Sequence, residues 1–272
     1  MAHWSETERR QDHRIAFVPT MGALHEAHLS LVRAAKTRAD RVVVSIFVNP
    51  TQFAPAEDFT SYPRNFGRDR SLLEAEAVDV LFHPAVEDIY PPGSQTRVEV
   101  EELGKYLCGA QRPGHFQGVA TVVTKLFNVV RPHVAVFGEK DYQQLQIIKR
   151  LVRDLLLNVE IVGHPIVRET DGVAMSSRNE YLSAEERKAA VCLSRSLGRA
   201  ECLVRHGETS AKTITEAVAA DLANEPLAMV EYITMSDVET LEEVEQIHGS
   251  AVLALAVRIG KTRLIDNRVL VR

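Results

Sequence analysis

Short apolar runs alternate with helix-patterned segments over the first two thirds of this chain, and this alternation constrains the fold more than any other feature. The run at residues 41–48 is almost continuously apolar and rich in β-branched residues, which is typical of a strand covered on both faces. Before it, Leu31, Val32, Ala35 and Ala39 recur on one face of a predicted helix. Strands separated by helices form βαβ units, so we predict an α/β domain with a parallel sheet.

The elements of this predicted domain follow one another without a long linker. The predicted strands cover residues 15–18, 41–48, 79–82, 134–137 and 159–162. One predicted helix begins near residue 27, and the others cover residues 68–78, 118–130 and 142–157.

The pattern changes in the last third of the chain. A long helix is predicted to open with Ser183 and Glu186, which have the spacing of a capping box. Helices are predicted over residues 183–206 and 211–224, and strands over residues 229–235, 251–259 and 263–266. A turn at Gly260 separates the last two strands. This pattern predicts a second, smaller α+β C-terminal domain. The two predicted domains cover residues 1–166 and 167–272.

Composition and charge exclude several classes of protein. Of the 272 residues 45% are hydrophobic, which argues against a disordered chain. The net charge of −5 argues against a protein that coats nucleic acid. No apolar run reaches the about 18 residues of a membrane span, and residues 1–14 lack the apolar core of a secretory signal. The three cysteines form no CxxC pair. We therefore expect a cytoplasmic protein with no nucleic-acid or membrane partner.

Ligands of an open parallel sheet bind beyond the carboxyl ends of its strands, so the residues that follow each strand are candidates for function. His25 and His28 follow the first strand, where a helix begins and its free N–H groups attract phosphate. The alternative is that one histidine caps the helix and the other packs in the core. Asn49 and Gln52 follow the second strand and suit the hydroxyls and carboxylate of a small polar substrate, although an ordinary turn would also explain them.

Two further loops offer donors for phosphate. After the fourth strand, Gly138 permits close approach of backbone to a ligand, and Lys140 is a cation suited to phosphate. A charged helix start would explain Glu139 and Asp141, but a lysine there opposes the helix dipole. After the fifth strand, two hydroxyl side chains lie beside an arginine, and these groups can together donate hydrogen bonds to phosphate oxygens. These residues are Ser176, Ser177 and Arg178.

Several blocks of the sequence, in this order, resemble the pantoate–β-alanine ligase (pantothenate synthetase) family. The first block resembles that family's version of the HIGH motif of the nucleotidylyltransferase superfamily. The blocks are residues 17–28, 47–53, 62–64, 112–116, 118–123, 137–145 and 175–179. The resemblance extends from about residue 15 to the C-terminus and is densest up to residue 182.

The resemblance implies a Rossmann-like parallel-sheet domain followed by the smaller α+β domain. It also implies an ATP-dependent, Mg²⁺-requiring condensation of (R)-pantoate with β-alanine that yields pantothenate, AMP and pyrophosphate. In the family, pantoyl adenylate forms first and the amine of β-alanine then attacks it. The resemblance further implies a homodimer formed through the N-terminal domain.

The family's functional residues carry over by position. The implied ATP-binding residues are Met21, Gly22, Ala23, Leu24, His25, Glu26, Ala27, His28, Gly138, Glu139, Lys140, Asp141, Val167, Met175, Ser176, Ser177 and Arg178. Among them, His28 would be the proton donor toward the leaving pyrophosphate and Lys140 would bind the phosphates. Arg178 would help to offset the charge of the phosphates. Val167 would contact adenine through its backbone, and residues 175–178 would close over the triphosphate. Gln52 and Gln144 would hold pantoate, and Gln52 would also lie near β-alanine.

The chain departs from the family pattern at three places. Ala27 stands where the family usually has glycine, His133 replaces a usual aspartate, and Asp69 alone is kept from a more acidic segment. Three rival functions are a nucleotidylyltransferase with a phosphorylated acceptor, a fragment of a tRNA synthetase and a nucleotide sensor without catalysis. The acidic balance disfavours the synthetase, and the retained histidines disfavour the sensor.

Overall fold

The computed structural model describes residues 1–54, 57 and 59–272, which form two compact units. The first unit comprises Met1–Lys105, Gly109–Glu139 and Gln144–Pro165. The second unit comprises Tyr106–Cys108, Lys140–Gln143 and Ile166–Arg272. The second unit therefore includes two short segments from the earlier part of the chain.

The first unit is built on the parallel sheet that the sequence predicts. Its strands are β1 Ile15–Thr20, β2 Arg41–Ile46, β3 Val80–Phe82, β4 Val134–Gly138 and β5 Glu160–His164. Their spatial order is β3-β2-β1-β4-β5, and every neighbouring pair is parallel. Successive residues of β1, from Ile15 to Val18, are all fully buried, so both faces of the sheet are covered. The Rossmann-like α/β prediction is confirmed.

One helix precedes these strands and others lie between them in the chain. In chain order they are α1 Ala2–Arg10, α2 Glu26–Lys36, α3 Phe66–Ala75, α4 Val86–Ile89, α5 Leu107–Gln111, α6 His115–Val130 and α7 Tyr142–Asp154. Among the helices of the described residues, none is long and apolar enough to cross a membrane.

The first helix, α1, is absent from the sequence-based prediction. Its residues have no apolar stripe, and polar and charged side chains hold it in place instead. The Glu8 carboxylate contacts Arg41 at 2.9 Å, and the Arg9 guanidinium donates to the carbonyl of Arg131 at 2.9 Å. Ser5 of this helix is fully buried. A pattern of apolar spacing does not detect a helix of this kind.

The second unit contains two long helices and an antiparallel sheet. These elements are α8 Ala184–Arg205, α9 Ala211–Ala223, β6 Ala228–Ser236, β7 Ser250–Ile259 and β8 Thr262–Val271, with strand order β6-β7-β8. The predicted capping box is confirmed, since Glu186 accepts from the Ser183 N–H at 2.8 Å and Ser183 accepts from the Glu186 N–H at 3.2 Å. Strand β8 continues five residues beyond its predicted end at Asp266, because its later residues pair with the beginning of β7.

Candidate functional site

The loop after β1 is shaped by a buried carboxylate from α3. Asp69 is 1% exposed, and its two oxygens accept the backbone N–H groups of Ala23 and Leu24, each at 2.9 Å. Hydrogen bonds to a charged acceptor are stronger than neutral ones. They hold Ala23 in the left-handed region, at φ +51°. Both Asp69 oxygens are thus engaged by the loop.

The backbone conformation and close packing both favour glycine at the second position of this loop. Gly22 has a φ of +81°, and a Cβ atom there would lie 3.0 Å from both Asp69 Oδ2 and Ile46 Cγ2. The neighbouring Arg68 donates to the carbonyl of Leu24 at 2.8 Å. The loop is therefore held both through its backbone N–H groups, which bind Asp69, and through a backbone carbonyl, which binds Arg68.

The two histidines lie together where α2 begins. His25 is the N-cap residue, and its ring lies against that of His28 with 4.1 Å between centroids. His28 Nδ1 accepts the backbone N–H of His25 at 3.4 Å. This contact places the proton of the neutral His28 ring on Nε2, which is the donor that a phosphate oxygen would need. Of the alternative stated for these histidines, the capping half is confirmed, since His25 caps the helix, and the core half is wrong, since His28 is half-buried and is not a core residue.

The polar residues after β2 lie against this loop. The Gln52 amide nitrogen contacts Met21 Sδ at 3.0 Å, and the Gln52 side-chain oxygen accepts from Asn49 at 3.1 Å. Asn49 is 1% exposed and also donates to the carbonyl of Gly118 at 3.1 Å. Its own oxygen accepts from the Tyr90 hydroxyl at 2.9 Å. The structure therefore brings Gln52 beside the predicted nucleotide loop and presents its amide N–H groups there.

Two residues without a role predicted from the sequence bind the backbone of Gln52. His115 Nδ1 contacts the Gln52 carbonyl at 2.7 Å, and Arg112 donates to it at 3.3 Å. Arg112 also pairs with both oxygens of Glu57 at 2.6 Å. Burial, the largest single cause, opposes ionisation of Glu57, but the bonds and charge of Arg112, the Ala54 N–H and the charge of His115 together outweigh it and lower the pKa of this carboxyl. The signal in the sequence was the block at residues 112–116.

The site lies where the strand order of the sheet reverses. β1 and β4 are neighbours, although two other strands of the sheet lie between them in the chain, and such a switch point is where open α/β sheets bind ligands. At the end of β4, no described atom other than those of Gly138 and its two chain neighbours lies within 4 Å of the place that a Cβ atom of Gly138 would take. Glu139 belongs to the same unit, as does Gln144, which is half-buried near the start of α7.

The second unit contains the other predicted phosphate donors. Lys140 is half-buried, and its backbone carbonyl accepts from the Asn267 side chain at 2.9 Å. The hydroxyl of Tyr142 donates to the carbonyl of Val238 at 2.9 Å. Asp141 is exposed. The segment that contains Lys140 is therefore bonded to the C-terminal part of the chain.

A short hairpin precedes the predicted phosphate loop of the second unit. Its arms meet where the N–H of Met175 donates to the carbonyl of Val167 at 3.0 Å, and Gly172 supplies a φ of +93° at its turn. After it, the Ser176 hydroxyl accepts the backbone N–H of Arg178 at 3.3 Å. Ser177 is buried at the start of a short 3-10 helix, Ser177–Tyr181.

The predicted site residues are thus divided between the units. Those of the first unit are Met21, Gly22, Ala23, Leu24, His25, Glu26, Ala27, His28, Gln52, Gly138, Glu139 and Gln144. Those of the second unit are Lys140, Asp141, Val167, Met175, Ser176, Ser177 and Arg178.

The described residues contain no group of three or more histidine, cysteine, aspartate or glutamate side chains that could hold a metal ion. Asp69, the acidic residue kept at the expected place, uses both oxygens to bind backbone N–H groups. Within the described part of the chain, side chains alone therefore do not form a complete Mg²⁺ site.

Nearly the whole chain matches the model of a known protein family. The model of the family described as pantoate-beta-alanine ligase matches residues 1–269. The pantothenate synthetases of Thermotoga neapolitana and Geobacter sulfurreducens are 56% and 55% identical to this chain over 270 residues, which is 99% of this chain and 96% and 95% of theirs.

Solved structures of the family have the same fold. A crystal structure of pantothenate synthetase from Thermus thermophilus matches with a TM-score of 0.91 at 48% identity, covering 94% of this chain and 92% of that chain. A pantoate-beta-alanine ligase from Francisella tularensis, complexed with beta-gamma ATP and beta-alanine, matches with a TM-score of 0.77 at 36% identity, covering 97% of this chain and 94% of that chain. Because sequence and structure agree over nearly its whole length, this chain belongs to the pantoate–β-alanine ligase family.

Proposed function

We propose that this protein condenses (R)-pantoate with β-alanine, using ATP and releasing AMP and pyrophosphate. The observation that carries the proposal is the match to the family over nearly the whole chain, with the His25–His28 loop at the switch point of the sheet. A carboxylate is a poor electrophile because its charge repels nucleophiles, and transfer to AMP gives it a good leaving group.

The first step forms pantoyl adenylate. A carboxylate oxygen of pantoate attacks the α-phosphorus of ATP, and the bond from that phosphorus to the bridging oxygen breaks as pyrophosphate leaves. His28 donates a hydrogen bond from Nε2 toward the leaving group, while Lys140 and Arg178 offset the charge of the phosphates. Removal of one such donor typically costs about 3 kcal/mol, or about 10² to 10³ in rate.

The second step forms the amide bond. The β-alanine nitrogen attacks the acyl carbon of the adenylate, AMP leaves with the bonding electrons, and the nitrogen loses a proton. No nucleophile from the protein is required. Gln52 and Gln144 hold pantoate, and Gln52 also lies near β-alanine. Alignment of two small reactants can supply about 7–11 kcal/mol.

Mg²⁺ enters this scheme as part of the substrate, MgATP. Mg²⁺ keeps several water ligands and is commonly held by substrate phosphates together with one or two carboxylates. When bound, the ion neutralises phosphate charge.

Three further parts of the proposal concern the whole molecule. The protein is a cytoplasmic homodimer that associates through its N-terminal domain. Its first domain, residues 1–166, binds ATP and pantoate. Its second domain, residues 167–272, acts as a lid, because the loop of residues 175–178 follows the boundary closely. Structures with and without ATP that share one domain angle and one position of this loop would contradict the lid.

The most direct test measures AMP formation from ATP and pantoate, with and without β-alanine. We expect pyrophosphate release with pantoate alone and turnover to pantothenate with β-alanine. Replacing pantoate by a phosphomonoester or another carboxylic acid separates a nucleotidylyltransferase from this ligase. Binding of ATP without any β-alanine turnover would identify a sensor.

A further inference from the structure

Two adjacent polar residues of β8 are buried, which is unusual for a strand at the edge of a sheet. Asp266 is 3% exposed and Asn267 is 6% exposed. Successive side chains of a strand point to opposite faces, so these two residues face different surroundings. A buried polar group is stable only when it is hydrogen-bonded, and the partners of these residues therefore indicate their role.

Asn267 contacts the segment that contains the proposed phosphate-binding lysine. Its side-chain nitrogen donates to the carbonyl of Lys140 at 2.9 Å. The two residues are 127 positions apart in the chain. Because the Asn267 amide binds a backbone carbonyl, it restrains the main chain of Lys140. The lysine side chain and its ammonium group start from that restrained position.

Asp266 contacts the hairpin that precedes the proposed phosphate loop. Its two oxygens accept from the guanidinium of Arg168 at 2.7 and 3.0 Å. The same guanidinium donates to the carbonyl of Gly172 at 3.1 Å, at the turn of the hairpin. Asp266 also accepts the backbone N–H of Asn267 at 2.8 Å, which links the two residues directly.

We propose that Asp266 and Asn267 are positioning residues for ATP activation, with Asn267 setting the place of Lys140 and Asp266 setting the hairpin that leads to residues 175–178. The inference rests on the proposed function, since it assumes that Lys140 binds the phosphates. Both act through other residues of the protein, Asn267 through the backbone of Lys140 and Asp266 through Arg168. Strand β8 holds two segments, far apart in sequence, in one arrangement before ATP binds, which lowers the cost of ordering them during the reaction.

A purely structural role for the pair would require only that each group be satisfied by any neighbour. Among their hydrogen bonds are one to a backbone atom of the Lys140 segment and two to an arginine of the hairpin, all within the second unit. A second bond, from the Tyr142 hydroxyl to Val238, holds the same segment two residues later. The segment is thus fixed on both sides of its exposed Asp141.

The test uses Asn267→Asp, which keeps the shape of the side chain but removes the donor. Pyrophosphate release is measured against ATP concentration at saturating pantoate, in the full-length protein. We expect kcat/KM for ATP to fall by at least about tenfold, since a displacement of about 1 Å can cost about 10²-fold, while KM for pantoate stays within about twofold. Arg268→Met is the matched control, because Arg268 is the next residue of β8 and pairs with Glu201 instead.

A double-mutant cycle separates positioning from general destabilisation. If Asn267 acts through Lys140, Asn267→Asp adds no further loss in rate once Lys140→Ala is present. An equal loss in both backgrounds, or a normal kcat/KM for ATP in Asn267→Asp, would overturn the inference. Should Asn267→Asp fail to fold, Asn267→Ala, which buries no new charge, takes its place in the same cycle.

The same cycle also distinguishes failure of the proposed function. Near-normal pyrophosphate release by Lys140→Ala would remove the phosphate-binding role of Lys140, and with it this inference. An impaired Lys140→Ala beside a normal Asn267→Asp would overturn only the inference and leave the proposed function intact.

Discussion

The substitution Asp69→Asn tests whether this carboxylate shapes the nucleotide loop. The native carboxylate accepts two backbone N–H groups, from Ala23 and Leu24, each at 2.9 Å. An asparagine keeps one acceptor and turns an NH₂ group toward the other backbone N–H. One charge-assisted bond, worth about 1.5–3 kcal/mol, is lost, and the second becomes a weaker neutral bond. We therefore expect the free energy of unfolding to fall by about 2–4 kcal/mol.

The same substitution should weaken the use of ATP more than the use of pantoate, because it disturbs the loop predicted to bind the nucleotide. Ala23 has a φ of +51°, and without both bonds the loop has less to hold it in that conformation. The loop leads directly into His25 and His28, so we expect pyrophosphate release to slow by about 10²-fold and KM for ATP to rise. Urea unfolding and pyrophosphate-release kinetics measure the two effects.

A control on the same helix separates this role from a general effect of charge. Glu74 lies on α3, is exposed and pairs with Arg70 at 2.7 Å, so Glu74→Gln should change stability by less than about 0.5 kcal/mol. Equal stability and equal KM for ATP in the two variants would refute the reasoning. Added Mg²⁺ should not restore the rate of pyrophosphate release in the Asp69→Asn variant. A recovery of that rate would instead identify Asp69 as a metal ligand.

Three further predictions concern single residues. Gln144→Ala should raise KM for pantoate more than KM for ATP in steady-state kinetics, and equal losses would indicate a structural role. Ala27→Gly should keep or improve ATP affinity in a direct binding measurement, whereas a clear loss would show that the loop has adapted to alanine. Burial, with the charges of Arg9 and Arg14, lowers the pKa of His133, whose Nδ1 accepts from the Ile15 N–H at 2.9 Å. The unfolded chain then binds more protons just below pH 6.5, so stability decreases as the pH is lowered through that range, and His133→Asn should reduce that slope in urea titrations at several pH values.

Much of the architecture followed from local patterns. The apolar run at residues 41–48 predicted a buried strand because every consecutive side chain needed cover, and β2 is such a strand. Ser183 and Glu186 predicted the start of α8 because the capping box involves residues three apart. The family's motifs identified the loop at residues 21–28 and Gln52 as parts of a site, and the structure places Met21 and Gln52 in contact.

Other features were beyond the reach of local patterns. Helix α1 has no apolar stripe, and its partners Arg41 and Arg131 lie in distant parts of the chain. The last residues of β8 contain Asn267 and Arg268, which interrupt an apolar pattern, yet they pair with β7 along the full strand. In both cases a long-range contact decides a local conformation.

Adjacent residues were enough to establish the order of strands and helices, the change of pattern after the fifth strand and the family motifs, because periodicity and capping act over a few residues. The roles of Asp69 and Asn267 depended on folding. Their partners lie 45 and 127 positions away, at Leu24 and Lys140, and no spacing rule connects residues so far apart. A buried hydrogen bond is specified by the packing of whole elements, and that packing exists only in the folded chain.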